Sequence, residues 1–476
     1  MNWIDIVTIM RDEWSIIGIL ILLLAGEILV DKKQLSMLIP VAIGLFVLHT
    51  AMSFIPGDKA TLFGGMYRTN EMMHFMKAIL NVAVLIILFQ SYDWVKTTLL
   101  PNGMANAFYL LLFAVLSGMY FLISAGDFIM FFIGFELSTL PIAAMAAFQL
   151  KEMRSTEAGI KLVLLAGLAS GIMLYGISLM YAVTGTLYFD GFLSAYYHEP
   201  LLVFGFILFL SGLAFKISLV PFHFWAPDVY EGAPIAITSL LSVVSKAASV
   251  FILMILLLTV FKDLSDAWKM VLYILAVLTM TIGNLFALRQ TNMKRFLAFS
   301  SIAQAGFILL GILAGGAVGA ATVIYFVLIY VFTNLGAFGV IQAIKDESGK
   351  EDMTDYTGLY RTNPKLSLVL VLALFSLAGI PPVAGFFGKF FLFSAAAGKG
   401  YYILLIIAVI NVTISLYYYL LPIRAMLLRT SEHPIPAIRS SNMMRIGLLI
   451  CVAGIMILGL YSPVYSFVLG LTQSWL

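Results

Sequence analysis

Glu136, Lys161, Lys216, Lys246 and Lys389 each stand in a stretch of otherwise apolar residues. A charged side chain at the centre of a bilayer costs at least ~2.5–3.5 kcal/mol, so such residues persist where they pair or carry an ion. Lysine and glutamate both take up and release protons, and a row of them can pass a proton along. Glu136 falls mid-span in Ile133-Gly134-Phe135-Glu136-Leu137-Ser138. A lysine ~8 Å away, at an effective dielectric near ~20, would attract its carboxylate by about 2 kcal/mol. The plainer alternative is a static ion pair bracing two helices. Lys216 precedes a proline break, and Lys246 follows Ser242 and Ser245, small residues that admit water or a neighbouring helix. Lys161 lies a turn or two into its helix, just after Glu157, where a long side chain can snorkel to the interface. His223, just past the break, can carry protons near neutral pH, although a lone histidine there is more often structural. Asp228 and Glu231 are expected to cap the next helix on the exit face. His49 and Asp127 have no partner legible in the sequence.

The elements that must hold these charges are membrane spans. The 476 residues are 62% apolar and 11% charged, against about half and a quarter in a soluble domain, which makes the chain a polytopic membrane protein. A net charge of +3 is too small to suggest nucleic-acid binding. The single cysteine, Cys451, excludes a disulfide framework and an all-cysteine iron–sulfur or zinc site. Neither a Walker loop nor a Gly-x-Gly-x-x-Gly after a strand is present, so a nucleotide site is not expected. The segment 16–30 reads as a retained first helix rather than a cleaved signal.

A span needs roughly 20 apolar residues. On that length the fold is all-α with about fourteen transmembrane helices, near 14–31, 35–55, 75–91, 104–124, 126–149, 157–183, 200–222, 233–260, 266–288, 296–315, 318–344, 365–397, 400–428 and 443–470. Of the 27 basic residues, sixteen fall at odd-numbered connections (Lys32, Lys151, Arg154 and Arg295 among them) and seven on the opposite side, including Lys77. The excess puts the first set in the cytoplasm and both termini on the outer, periplasmic face. The four basic residues left over are Lys161, Lys216, Lys246 and Lys389.

Spans seven and twelve should be discontinuous. The seventh breaks at Pro221, and the twelfth carries Ala378-Gly379-Ile380-Pro381-Pro382-Val383-Ala384-Gly385. Matched interruptions point to two inverted five-helix repeats with ion sites at the breaks. The expected units are N-terminal helices 1–3 over 1–103, a first repeat over 104–260, a second over 261–430, and a last helix over 431–476.

The run from Lys216 through Pro221-Phe222-His223-Phe224-Trp225-Ala226-Pro227-Asp228-Val229-Tyr230-Glu231-Gly232-Ala233-Pro234 resembles the helix 7–8 signature of the antiporter-like membrane subunits of respiratory complex I. Its Pro-Asp-Val-Tyr-x-Gly-Ala-Pro pattern is similar to the N-type branch of bacterial NADH:quinone oxidoreductase. Gly134-Phe135-Glu136-Leu137, Asn292-Met293-Lys294-Arg295 and Gly385-Phe386-Phe387-Gly388-Lys389-Phe390 extend the likeness over about 104–430. The resemblance implies that Glu136, Lys161, Lys216, Lys246 and Lys389 occupy proton-channel positions. Glu136 and Lys216 would be a coupling pair, Lys246 the central relay and Lys389 the terminal site. Gln304 stands where the family usually has histidine; it cannot titrate and could only order water.

The implied activity is outward proton translocation coupled to quinone reduction, within a translocase whose redox sites lie elsewhere. No cofactor is expected in this chain; NADH, flavin, iron–sulfur clusters and quinone would belong to partner subunits. The implied partners are the other antiporter-like and small membrane subunits and the lipid of a prokaryotic inner membrane. A subunit of a multisubunit sodium/proton antiporter is the alternative, and the Val-Tyr-x-Gly-Ala-Pro loop argues against it. A stand-alone carrier would need midplane polar binding residues, of which the chain offers little beyond its lysines.

Overall fold

Within a bilayer the backbone has no water to bond, so each span satisfies its own amides as a helix. The computed structural model of the chain describes residues 3–29, 35–190 and 199–475. Eleven helical stretches among these residues are long and apolar enough to cross a membrane, two of them, 128–146 and 235–260, made of consecutive shorter helices. In chain order the first helices are α1 (Trp3–Ile9), α2 (Arg11–Leu29), α3 (Leu38–Met52), α4 (Glu71–Trp94), α5 (Ala105–Ile123), α6 (Phe128–Leu137) and α7 (Leu140–Ala146). Next come α8 (Met153–Thr184), α9 (Pro200–Ile217), α10 (Trp225–Gly232), α11 (Ile235–Ser239), α12 (Lys246–Ile255), α13 (Ser265–Ala287) and α14 (Met293–Ala314). The last are α15 (Gly316–Ser348), α16 (Leu359–Thr362), α17 (Pro364–Ala378), α18 (Ala384–Gly398), α19 (Tyr402–Leu428), α20 (Asn442–Leu460) and α21 (Pro463–Trp475). Between α3 and α4 a short antiparallel hairpin pairs β1 (Ala60–Leu62) with β2 (Tyr67–Thr69), Thr61 opposite Arg68. Val30, Lys32 and Lys33 lie outside the described residues.

The breaks set the geometry of the interior. α9 stops at Ile217 because Ser218 turns left-handed, and α17 stops at Ala378 because Gly379 does the same. A third break went unpredicted. The expected fifth span is two helices, α6 and α7, parted at Ser138–Thr139. Pro141 has no amide hydrogen to offer the Leu137 carbonyl one turn back, so the ladder fails there. Leu240–Ser245, ahead of Lys246, is π-helical rather than α-helical, a local widening common at functional sites. The last expected span also divides, Pro463 opening α21 as a separate helix.

α14 and α15 form the centre. α15 packs on α4, α14, α17, α18, α20 and α21, so helices from both ends of the chain meet on it. The two halves of the twelfth span cross at almost no clearance: a Cβ at Gly385 would lie 1.7 Å from the Ser376 carbonyl oxygen. Gly385→Ala is therefore expected to lower stability by about 1–3 kcal/mol or more, as overpacking does. A fall in the unfolding temperature of the detergent-solubilised protein, against a silent Gly398→Ala with nothing near its Cβ, would register it.

Candidate functional site

Three of the predicted lysines are buried and each is held by neutral oxygens. Lys216 Nζ donates to the Phe135 carbonyl at 3.0 Å, Ser138 Oγ at 2.5 Å and Thr139 Oγ1 at 2.8 Å. These are the residues of the α6–α7 break. The last carbonyls of a helix lack intrahelical partners and present negative potential, which suits an ammonium. The Thr139 amide bonds Glu136 O, and Phe135 O accepts from Ser138 Oγ and Thr139 Oγ1 as well as from the lysine, so both hydroxyls turn their lone pairs to the ammonium. Lys216 thus serves the break of the fifth span rather than the one beside it in sequence.

Lys389 repeats the device from the other direction. It sits in α18, reaches back across the break and donates to Leu377 O at 2.7 Å and Ala378 O at 3.0 Å. Those are the free carbonyls of α17, since Phe375 O and Ser376 O are taken by the Gly379 and Ile380 amides. Lys246 donates to Ser301 Oγ at 2.5 Å and Ser301 O at 3.1 Å, on α14.

α14 then connects these sites. Ser300 Oγ bonds the Tyr419 hydroxyl of α19. Gln304 Nε2 donates to Tyr419 Oη and to Leu377 O, both at 3.2 Å. Leu377 O is also the acceptor of Lys389, so Gln304 and Lys389 meet on one carbonyl. From the Lys246 side, Ser242 Oγ lies 3.4 Å from Ser301 Oγ and 3.2 Å from Tyr330 Oη. A cavity of about 20 Å³ lies between the Lys216 and Lys246 regions, lined by Ser138, Thr139, Lys216, Trp225 and Ser245 among others. That is room for one water.

Not every predicted residue joins this line. Glu136 is half-buried on the stripe of α6 that exposes Ile129 and Ile133; its Oε1 has no partner, and no ion pair links it to Lys216. Lys161 is 38% exposed and pairs with Glu157 at 2.7 Å and Asp228 at 2.8 Å, apart from the buried lysines. His223 is buried in the turn between α9 and α10 with Nδ1 unpaired. Asp228 and Glu231 do not cap a following helix. They bind Arg295 at 2.8 and 3.0 Å, and Glu231 also pairs with Arg154. That places them on the face of the odd-numbered connections, not the expected exit face. Burial pushes the Asp228 carboxyl up, but Lys161 and Arg295 outweigh it and hold it below its ordinary value. Asp127 caps α6, accepting from the Met130 amide at 2.7 Å.

Sequence reasoning missed a second buried set. Lys77, counted on the outer side, is fully buried and paired with Glu13, while Asp12 pairs with His74 and His49 with Ser15 and Tyr120. The signal was Asn70, which accepts from the Met73 amide and starts α4 at Glu71, four residues before the expected 75. That shift draws Lys77 into the helix bundle. Among the described residues no cluster of His, Cys, Asp and Glu could hold a metal.

Residues 125–415 match the family model described as NADH:quinone oxidoreductase/Mrp antiporter, TM. A protein of Phocaeicola vulgatus called NADH-quinone oxidoreductase subunit N is 46% identical over 458 residues, 96% of this chain and 97% of the relative. One of the same name from Moorella thermoacetica is 38% identical over 92% of this chain and 95% of its own. A chain of respiratory complex I from Thermus thermophilus, solved with bound aureothin, superposes with a TM-score of 0.80 at 28% identity, covering 97% of this chain and 99% of that one. A chain of the Mrp complex of a Dietzia species has the same fold, with a TM-score of 0.84 at 21% identity over 98% and 97% of the two chains.

Proposed function

The chain belongs to the NADH:quinone oxidoreductase and Mrp antiporter membrane-subunit family, in the N-subunit branch of the oxidoreductase, and from that membership we propose that its buried lysines conduct protons. Its place is the membrane arm of complex I, among the other membrane subunits. The observation that carries the conduction reading is that one helix, α14, holds two polar clusters: Ser301 on Lys246, and Ser300 with Tyr419 and Gln304 beside the Leu377 carbonyl that Lys389 shares. Each ammonium is met by carbonyls and hydroxyls instead of a carboxylate. Those oxygens accept strongly from an ammonium and more weakly from an amine, and because none is a carboxylate a proton can leave without stranding a buried counter-charge. Hydroxyls both donate and accept, so Ser300, Ser301 and Tyr419 can hand a proton on while keeping their bonds. Gln304 keeps water and Tyr419 in register but cannot itself carry charge.

In this reading protons enter from the cytoplasmic side near the Lys161–Asp228–Arg295 network, wait on Lys216 or Lys246, and leave outward past Lys389. Glu136 is the switch. Its unpaired oxygen and half-buried setting leave it free to change partners, and its charge acts on the Lys216 ammonium through the field without an ion pair. His223 would serve the entry side. The units 1–103, 104–260, 261–430 and 431–476 correspond to flanking helices, two inverted repeats and a closing segment. Redox groups would sit in partner subunits and drive the line through the membrane arm. The setting is a prokaryotic inner membrane with both termini outside, an orientation supported by the basic-residue excess.

The test is proton pumping by the reconstituted complex carrying Lys216→Ala or Glu136→Ala. Both are expected to lose most of their pumping at normal assembly; full pumping in either would sink the path. For the orientation, a membrane-impermeant thiol reagent should label cysteines introduced at Lys59 and Lys399 from outside intact cells, and cysteines at Lys151 and Lys350 only after lysis.

A further inference from the structure

At the hairpin end of α2, α3, α4 and α5 lies the second set of protonatable groups, which the lysine line does not use. Asp12 Oδ2 is 2.7 Å from His74 Nδ1, and Lys77 Nζ donates to Glu13 Oε1 at 2.5 Å and to Tyr67 Oη at 3.3 Å. His49 bridges Ser15 Oγ, 2.6 Å from Nδ1, and Tyr120 Oη, 2.8 Å from Nε2; the Tyr120 hydroxyl donates to Asn81 Oδ1. Asp12, Glu13, His49, His74 and Lys77 are each at most 3% exposed. Ionised groups so deeply buried must balance. Arg11 and Lys77 offset Asp12 and Glu13, so the cluster is neutral with both imidazoles neutral. A proton can then be added only at an imidazole without discharging one of the two ion pairs.

Geometry selects His74. Asp12 faces its Nδ1 from α2, backed by Arg11 at 3.6 Å. Thr69 Oγ1 of the hairpin faces its Nε2 at 2.9 Å. The other charges near it are Lys77 on its own helix, already paired with Glu13, while α3 and α5 contribute His49 and Tyr120. On its outer side Gly57 lies against the imidazole: a Cβ there would fall 2.3 Å from the ring. That glycine belongs to a loop whose Pro56, Asp58 and Lys59 are exposed. Inward, the cluster continues through His49 and Tyr120 to Asn81. Glu13 Oε2 and Asn81 Nδ2 are buried without partners, an acceptor and a donor available to water inside the cluster.

We propose that the Asp12–His74 pair is a proton-holding site that exchanges with the medium past Gly57. It rests on the proton-conduction reading and adds a protonatable site on the hairpin side, apart from the buried lysines. On transfer, the proton arriving at His74 makes an imidazolium paired with the Asp12 carboxylate, and its departure to the medium restores the neutral ring.

The experiment uses the whole complex in liposomes, with ring-¹³C histidine for redox-difference infrared spectra and a parallel count of protons moved per quinone reduced. The complex is expected to show a histidine band on turnover. His74→Gln should lose that band and move fewer protons per quinone, and Gly57→Ala should shift it. An assembled His74→Gln complex with the original stoichiometry, or a band unmoved by both variants, overturns the site. If His74→Gln fails to assemble, the Gly57→Ala spectrum decides alone. Lys216→Ala separates the two claims: full pumping there sinks the conduction reading, whereas full pumping in His74→Gln alone sinks only this one.

Discussion

Lys246→Arg should abolish proton transfer through the subunit as thoroughly as Lys246→Met does. Arginine keeps the positive charge but does not deprotonate in proteins, so a relay that must discharge is blocked while a structural cation is preserved. The loss is expected to reach roughly two orders of magnitude, the lower end of what a positioned proton-transfer group contributes. Lys246 is 2% exposed and bonds only Ser301, so neither substitution strands a carboxylate. Lys246→His keeps a group able to gain and lose a proton and should retain part of the flux. The readout is dye-reported acidification by the assembled complex in liposomes, alongside quinone reduction with the membrane made leaky. An arginine variant that pumped normally would show that Lys246 is only a fixed charge.

Much of the scaffold was legible because membrane spans announce themselves by length and apolarity, and because Pro221 and Pro381-Pro382 mark interruptions. Lys216, Lys246 and Lys389 stood out for the energetic reason that buried charge is rare. What they bind was not legible. The partner of Lys216 is a break signalled by Pro141, seventy-five residues earlier in the chain, and a free carbonyl leaves no trace in residue type. The π-turn before Lys246 has no sequence signature either. Lys161 was already marked by its place near the helix start just after Glu157, and Glu157 one turn away does hold it, but Asp228 across the fold, which completes its open ion network, was not legible. Lys77 was concealed by a boundary error of four residues. At a span terminus that is enough to move a charge from water into the protein, and Asn70 as a cap carried the information to avoid it.

The hidden ion pair has the largest consequence for stability. Lys77→Met should destabilise the protein by about 3–5 kcal/mol, the cost of leaving a buried carboxylate uncompensated. Lys77 is wholly buried and Glu13 is 1% exposed, so bulk solvent does not reach the carboxylate to replace the lost charge. Glu13 also has one oxygen already unsatisfied, and losing Lys77 would leave both oxygens without the ammonium. The double replacement Glu13→Gln with Lys77→Met removes both charges and should recover most of the loss, because a buried pair replaced as a pair is often neutral. Thermal unfolding of the four forms in detergent closes the cycle, and a coupling term well above the scatter of independent sites is expected. If Lys77→Met were as stable as the parent, the pair would not be the buried, compensating unit that the geometry describes. The charge balance on which His74 depends would then have to come from elsewhere. Stability and proton holding therefore share one arrangement: Lys77 neutralises Glu13 permanently, which leaves Asp12 and His74 as the pair whose proton can come and go.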